Sequence, residues 1–297
     1  MVIGKVGLAP MAGVTNWSFR TLSFEFGAEF AYTEMISAES IIRKLSVNEK
    51  YFPRKEEKEK VAIQIFGSDP FVMAQSAYIV EKRGAWIDIN AGCPVKKVIK
   101  KGAGSALLKD LKKLKKVIEE VKKNVKTKVS VKVRLGFEKD EFEKIYDTVV
   151  EAGADMIAVH GRTAKQMYTG KAKWNIKNKG YIPFYINGDI FSFDDIKAAM
   201  EISGANGVLI ARGAIGNPWI FSGKKPKICE KKDTILHHID LLYFEVRNKA
   251  PCEFRKFVSG YTKNLPMARQ FRAKVMKIED VEELKLAFKE FFLSFST

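Results

Sequence analysis

Cysteine is scarce in this chain. The three present, Cys93, Cys229 and Cys252, show neither metal-ligand spacing nor a paired framework. This weighs against a structural zinc site and a disulfide-stapled secreted scaffold, and it suits a reducing, cytoplasmic setting. No stretch approaches the roughly 20 apolar residues that a membrane helix needs. The first residues, Met1 to Lys5, lack signal-peptide anatomy and are expected to run straight into a strand. Low-complexity segments are absent, and so is a glycine-rich dinucleotide turn after the first apolar run, which disfavours a doubly wound sheet. Acidic residues are also in deficit. Thirty-five face 52 basic ones, leaving a net charge of +17 that biases the protein toward polyanions. A lysine-rich thermophilic surface is the competing explanation of that charge.

What is present is a recurring short run rich in β-branched residues. Candidate strands are Val6 to Ala12, Phe30 to Ile36, Val61 to Phe66, Trp86 to Ala91, Val129 to Leu135, Met156 to Gly161, Phe184 to Asp189 and Gly207 to Arg212. Helical periodicity over Pro70 to Lys82, Ser105 to Lys123, Glu141 to Glu151 and Phe193 to Ile202 separates most of them. Eight strands alternating with helices predict an α/β fold, a (β/α)8 TIM barrel. After Ser222-Gly223-Lys224-Lys225-Pro226 the strand pattern stops. Thr234 to Asn248, Cys252 to Lys263, Met267 to Met276 and Val281 to Phe295 read as helices, an all-α bundle. The expected division is a barrel over residues 1–223 and a helical domain over 224–297.

Side chains alternate faces along a strand, so parity says which point into the barrel. Gln64, Asp88 with Asn90, Lys132, His160 and Asn187 each share a face opposite flanking apolar residues. Barrel interiors are mostly branched and apolar, so five coincident polar positions suggest a planar, hydrogen-bonding guest. The plainer alternative is an internal Lys132–Asp88 salt bridge with His160 as a satisfied core histidine. Asn187-Gly188-Asp189 and Ala211-Arg212-Gly213 end the last two strands, and Gly216-Asn217-Pro218-Trp219 looks like a helix start. Barrels often bind phosphate there, so a guest with a phosphate tail and a flat head suggests FMN.

Cys93 follows the strand Trp86 to Ala91 at the end where a barrel keeps its chemistry. Gly92 removes bulk beside the thiol, and Pro94 pushes Cys93 toward extended backbone. A free cysteine is more often a small buried hydrophobe, but this context argues for a placed thiol. From Arg247 to Lys277 nine basic residues face one acid, Glu253, with Phe254, Phe257, Tyr261 and Phe271 interleaved. Such a segment could track phosphates and stack bases.

Together these motifs resemble the tRNA-dihydrouridine synthases, FMN enzymes that reduce selected uridines in transfer RNA. The resemblance rests on Ala9-Pro10-Met11-Ala12-Gly13-Val14-Thr15, Gln64-Ile65-Phe66-Gly67, Asp88-Ile89-Asn90-Ala91-Gly92-Cys93-Pro94, Val131-Lys132-Val133-Arg134 and Val159-His160-Gly161-Arg162-Thr163. Asn187-Gly188-Asp189 and Ala211-Arg212-Gly213 complete the family's order across the barrel. In the tail, Arg255-Lys256-Phe257, Gly260-Tyr261 and Leu265-Pro266 are similar to the family's helical RNA-binding domain, which often has histidine where this chain has Phe257.

The resemblance implies that Ala9, Pro10, Met11 and Ala12 line the flavin edge, and that Gln64 meets its pyrimidine ring. Asn90, Lys132 and His160 would also bind the cofactor, with Asn187, Gly188, Asp189, Ala211, Arg212 and Gly213 at its phosphate end. Cys93 would be the catalytic proton donor. Asn90, Lys96, Arg162, Arg255, Lys256, Tyr261, Lys263 and Arg272 would meet the RNA. It further implies NADPH as electron donor, tRNA as partner, no membrane, DNA or metal, and a monomer. A flavin barrel acting on free pyrimidines shares the chemistry but leaves the basic tail unexplained. An RNA-binding protein on a decayed barrel leaves intact Cys93, Lys132 and His160 unexplained.

Overall fold

The predicted alternation closes into a ring in the computed structural model, which describes residues 4–176 and 179–295. Residues 1–3, expected to lead straight into the first strand, lie outside them. The strands are β1 (Val6–Leu8), β2 (Phe30–Tyr32), β3 (Ile36–Ser37), β4 (Val61–Phe66), β5 (Trp86–Ala91), β6 (Val129–Arg134), β7 (Met156–His160), β8 (Phe184–Asn187) and β9 (Gly207–Ile210). Every pairing is parallel, and β1 pairs with both β2 and β9. β2 and β3 occupy one place, both against β4, so nine segments make an eight-position closed barrel.

Six of the eight expected strands come out shorter: those starting at Val129, Met156, Phe184 and Gly207 lose one or two residues at their carboxyl ends, and the first two lose more, each for a local reason. The expected Phe30 to Ile36 strand breaks after Tyr32, where the Thr33 hydroxyl accepts the Gln64 N–H at 3.0 Å and displaces a ladder bond. The first strand, expected to reach Ala12, ends at Leu8. Pro10 has no N–H to continue the ladder, and the Met11 carbonyl turns back to accept from Val14 and Thr15.

Outside the barrel run α1 (Trp17–Glu25), α2 (Ala38–Arg43), α3 (Pro70–Val80), α4 (Lys96–Ile99), α5 (Leu111–Asn124), α6 (Phe142–Glu151) and α7 (Phe193–Ser203). In α5, Leu114, Val117, Ile118 and Val121 form the i, i+3, i+4, i+7 stripe that packs on the strands. Its expected start at Ser105 moves to Leu111, because Asp110 caps the Lys113 N–H and Gly104–Lys109 winds as a tighter 3₁₀ turn.

The barrel lumen is divided along its axis. Phe30, Tyr32, Trp86 and Tyr185 fill one end with ring centroids 5.4–6.2 Å apart. Gly7 makes room for them, since a Cβ there would lie 2.4 Å from the Phe30 ring. This apolar plug leaves the other end, where the strands' carboxyl termini open, to the polar residues.

The tail is α8 (Ile228–Val246), α9 (Ala250–Tyr261), α10 (Ala268–Val275) and α11 (Val281–Leu293), after irregular residues 224–227. Its core is continuous with the barrel's outer core. Phe257 is fully buried, 5.0 Å from the Phe19 ring and 4.5 Å from His238, and Glu245 of α8 caps the Trp17 and Ser18 N–H groups of α1. Gly216, expected in a phosphate-binding helix start, instead lies against α9, and Pro218–Phe221 is a buried four-residue turn. A Cβ on Gly260 would sit 1.9 Å from the Ile215 carbonyl oxygen. Gly260→Ala should therefore lower stability by about 3 kcal/mol, the upper range for overpacking, as read by urea unfolding. An unchanged midpoint would mean the seam can open at no cost.

Candidate active site

Strand parity delivers what the sequence implied: Gln64, Asp88, Asn90, Lys132, His160 and Asn187 face the barrel lumen, joined by Ser130 next to the plug residue Trp86 and by Arg134 toward the open end. Cys93 stands at the rim, half-buried, on the loop after β5. Its N–H donates to Asn90 Oδ1 at 3.0 Å, the Gly92 N–H donates to the same atom at 3.2 Å, and its carbonyl accepts from Ser105. Asn90 Nδ2 donates to Gln64 Oε1 at 2.9 Å, and Gln64 Nε2 donates to Asp88 Oδ2 at 2.7 Å. Ser130 closes the chain by donating to the other Asp88 oxygen.

Arg134 grips the same loop from the other side. Its Nε donates to the Gly92 carbonyl, and Nη1 donates to the Thr163 and Met167 carbonyls, all at 2.9 Å. Sequence reasoning did not single out Arg134, although it shares parity with Lys132 and the alternation of β6 could have found it. Tyr168 was also missed. It is exposed at the mouth, with the Arg212 guanidinium 4.5 Å above its ring, and nothing in its irregular loop announces that position.

The alternative reading, a salt bridge between Lys132 and Asp88, is not the arrangement found. Asp88 is taken by Gln64 and Ser130, whereas Lys132 Nζ donates to Asn187 Oδ1 at 3.2 Å. Burial, with Arg134 nearby, lowers Lys132 to about 8. Burial likewise raises the Cys93 thiol, against weaker opposing pulls from the Val95 N–H, Arg134 and Lys132. His160 is pushed down to about 2 by burial and then by Lys132, Arg134, Arg162 and Arg212, so its imidazole is neutral. Its Nδ1 is buried without a hydrogen-bond partner among the described residues. It is not a satisfied core histidine, and an orphan of this kind marks a position where a guest's polar atom fits.

A cleft beside His160 is lined by Ala9, Pro10, Met11, Asn187, Gly188, Asp189, Ala211, Arg212 and Gly213. The residues expected at the phosphate end of a cofactor thus share one wall. Ala12 is exposed beyond it. The Asp189 carboxylate is committed to Arg162 at 2.9 and 2.6 Å, Arg212 at 3.0 Å and the Ala172 N–H at 2.8 Å. It can serve an anion only by orienting Arg212, or through its backbone.

Among the residues expected to meet RNA, two are corrected. Arg162 is 2% exposed and bound to Asp189 and to the Thr169 and Gly170 carbonyls, so it braces its loop. Tyr261 is fully buried with its hydroxyl on His238 Nδ1 at 2.8 Å, so it shapes the bundle. Arg255 is partly turned inward to the Ile278 carbonyl, and Arg272 Nη1 reaches Thr262. Lys96 and Lys263 are exposed. Lys256 bridges the two parts of the molecule, donating to the Gly13 carbonyl at 2.6 Å. A second, open cleft between barrel and tail is lined by Arg212, Lys231, Lys256 and Lys263 with Trp219.

The model of the dihydrouridine synthase (Dus) family matches residues 7–296, almost the entire chain. The chain belongs to the dihydrouridine synthase family. It is 36% identical over 304 residues to a protein of Aquifex aeolicus (strain VF5) named "Probable tRNA-dihydrouridine synthase", covering 97% of this chain and 96% of that one. It is 34% identical over 310 residues to tRNA-dihydrouridine synthase B of Pasteurella multocida (strain Pm70), covering 97% and 92%. For this dihydrouridine synthase family member, among the described residues, no cluster of potential metal ligands exists and no helix is long and apolar enough to cross a membrane.

Proposed function

We propose that this protein is an FMN-dependent tRNA-dihydrouridine synthase, reducing the C5–C6 bond of uridine in tRNA with NADPH as the source of electrons. The observation that carries this reading is a free cysteine, its loop backbone held by Asn90 and Arg134, at the mouth of a lumen containing Lys132 and the unpaired His160 Nδ1. The tRNA substrate is the one in the relatives' names.

The residues fit a flavin. His160 Nδ1 needs a partner, Lys132 offers a positive charge, and Gly188 and Gly213 line the same cleft as Arg212. When bound, FMN supplies the hydride for uracil C6. Lys132 would hold its charge against the pyrimidine edge of the ring, while neutral His160 contributes a hydrogen bond without adding charge. Arg212, oriented by Asp189, would meet the phosphate. Cys93 Sγ would give its proton to uracil C5, and Asn90 and Arg134 fix where that sulfur sits. The base must leave its stack to reach the rim.

In this reading residues 1–223 do the chemistry and residues 224–297 contribute the RNA surface. Lys231 and Lys263 of the basic cleft belong to the tail, and both are uncommitted to the cofactor wall. Lys231→Gln with Lys263→Gln should weaken tRNA binding and flatten the log-affinity versus log-salt slope by about one unit per lost contact. An unaltered slope would place the RNA elsewhere. The reading itself is tested by incubating purified protein, FMN and NADPH with unmodified tRNA and mapping dihydrouridine. A yellow protein that forms none would refute it.

A further inference from the structure

The hydrogen-bond chain below Cys93 has only one possible polarity. The Gly92 and Cys93 N–H groups can only donate, so the Asn90 atom facing them must be its oxygen. Asn90 then turns its NH₂ to Gln64, which must answer with Oε1. That leaves the Gln64 NH₂ pointing down the barrel axis, where it needs an acceptor. Asp88, fully buried, supplies one. Its other oxygen is occupied by Ser130, whose Oγ also accepts from Trp86 Nε1 at 3.0 Å, and Tyr32 packs beside them.

We propose that Asp88 is a positioning residue for the thiol: its carboxylate sets the amide orientation of Gln64 and Asn90, and through them the conformation of the loop that presents Cys93. The inference rests on the reading of Cys93 as proton donor for its functional meaning, but the chain itself does not depend on that reading. Barrel-wall alternatives are few. The Lys132 ammonium can only donate, and the Ser130 hydroxyl already gives its proton to Asp88 and accepts from Trp86, so neither replaces Asp88 as the terminal acceptor for Gln64. Burial pushes Asp88 up to about 7, opposed by the same Ser130 and Gln64 bonds. In this arrangement both Asp88 oxygens face donors.

The consequence is a polarity rule that packing alone would not produce. Asp88→Leu fills similar space but leaves the Gln64 NH₂ unanswered. Asn90→Asp places a carboxylate at each end of Gln64, so Oε1 must face one of them. Adding Asp88→Asn to Asn90→Asp restores a consistent chain with reversed direction: the amide introduced at position 88 would donate to Gln64, and Gln64 to the carboxylate at position 90. The parent's formal charge is retained.

The experiment measures alkylation of Cys93 by iodoacetamide, followed by peptide mass, in a Cys229→Ser, Cys252→Ser background, together with FMN content and single-turnover uridine reduction by holoenzyme. Expected for Asp88→Leu is a saturating single-turnover rate lower by about 10²-fold, the scale of an ångström misplacement, with the tRNA concentration for half-saturation little moved and the alkylation rate altered. Asp88→Asn alone keeps an acceptor for Gln64 and should recover at least ten-fold of that loss. Asn90→Asp should alter alkylation, and Asp88→Asn added to it should return the rate toward the parent.

Strictly additive effects of the Asn90→Asp and Asp88→Asn changes on alkylation would overturn the proposal, as would a parental alkylation rate in Asp88→Leu. If Asp88→Leu is insoluble, the charge-conserving double variant decides. If Cys93→Ala reduces uridine at the parental rate, the functional reading falls. The alkylation cycle still decides the role of Asp88.

Discussion

Cys93→Ala should retain its flavin and still accept electrons from NADPH, yet reduce uridine roughly 10²–10⁴-fold more slowly, the usual contribution of a general acid. That is a barrier increase of about 3–5 kcal/mol. The substitution removes a half-buried sulfur whose loop is held by backbone bonds to Asn90, Arg134 and Ser105, so the loop should keep its shape. Burial raises the thiol, which keeps it protonated through neutral pH. The parent's uridine step should therefore persist at pH 7–8 and decline only above the ordinary cysteine range. Rapid-mixing absorbance separates flavin reduction from uridine reduction, and equal uridine rates in the variant and parent would remove Cys93 from the chemistry.

Lys132→Met should act in opposite directions on function and on stability. With the counter-charge gone, flavin reduction or FMN retention should fall by about 10²-fold, the scale of losing one electrostatic stabiliser. In the cofactor-free protein the same change should raise stability. Lys132 is lowered to about 8 in the folded state, so between about pH 8 and 10.5 the unfolded chain binds more protons. Folding stability therefore rises with pH across that window, and below it the buried charge carries its full cost. Because the side chain is only partly enclosed, the gain from methionine at pH 7 should be on the order of 1–2 kcal/mol, shrinking as pH rises beyond 8. Melting curves with and without FMN at pH 7 and 9.5 measure both effects. A variant that is less stable without cofactor and unchanged with it would reverse the assignment.

The alternation of β6, Val129-Ser130-Val131-Lys132-Val133-Arg134, already says that the valines pack outward and the polar residues inward. The same reasoning applied to β4, β5, β7 and β8 located the polar lumen from sequence alone. Periodicity of 2.0 survives because a strand's neighbours cannot change which face a residue occupies. Likewise the stripe of α5 follows from helical spacing, whatever the helix packs against. Strand ends were less legible. The break after Tyr32 depends on a Thr33 hydroxyl meeting the Gln64 N–H, 31 residues away in sequence.

By itself, then, the sequence determined the barrel, the appended helices, the position of Cys93 at a strand's carboxyl end and the set of polar residues inside. Each of these follows from local periodicity or from residues adjacent in the chain. Only the tertiary structure decided who partners whom. Lys132 turned to Asn187 and not Asp88, Arg162 was buried against Asp189, and Tyr261 was taken into the core by His238. It also showed Arg134 gripping the Cys93 loop and left His160 Nδ1 unpaired. Choices among competing donors and acceptors are set by distances of a few tenths of an ångström between strands far apart in sequence, and by burial that makes an unanswered polar group costly. No one-dimensional pattern carries that information.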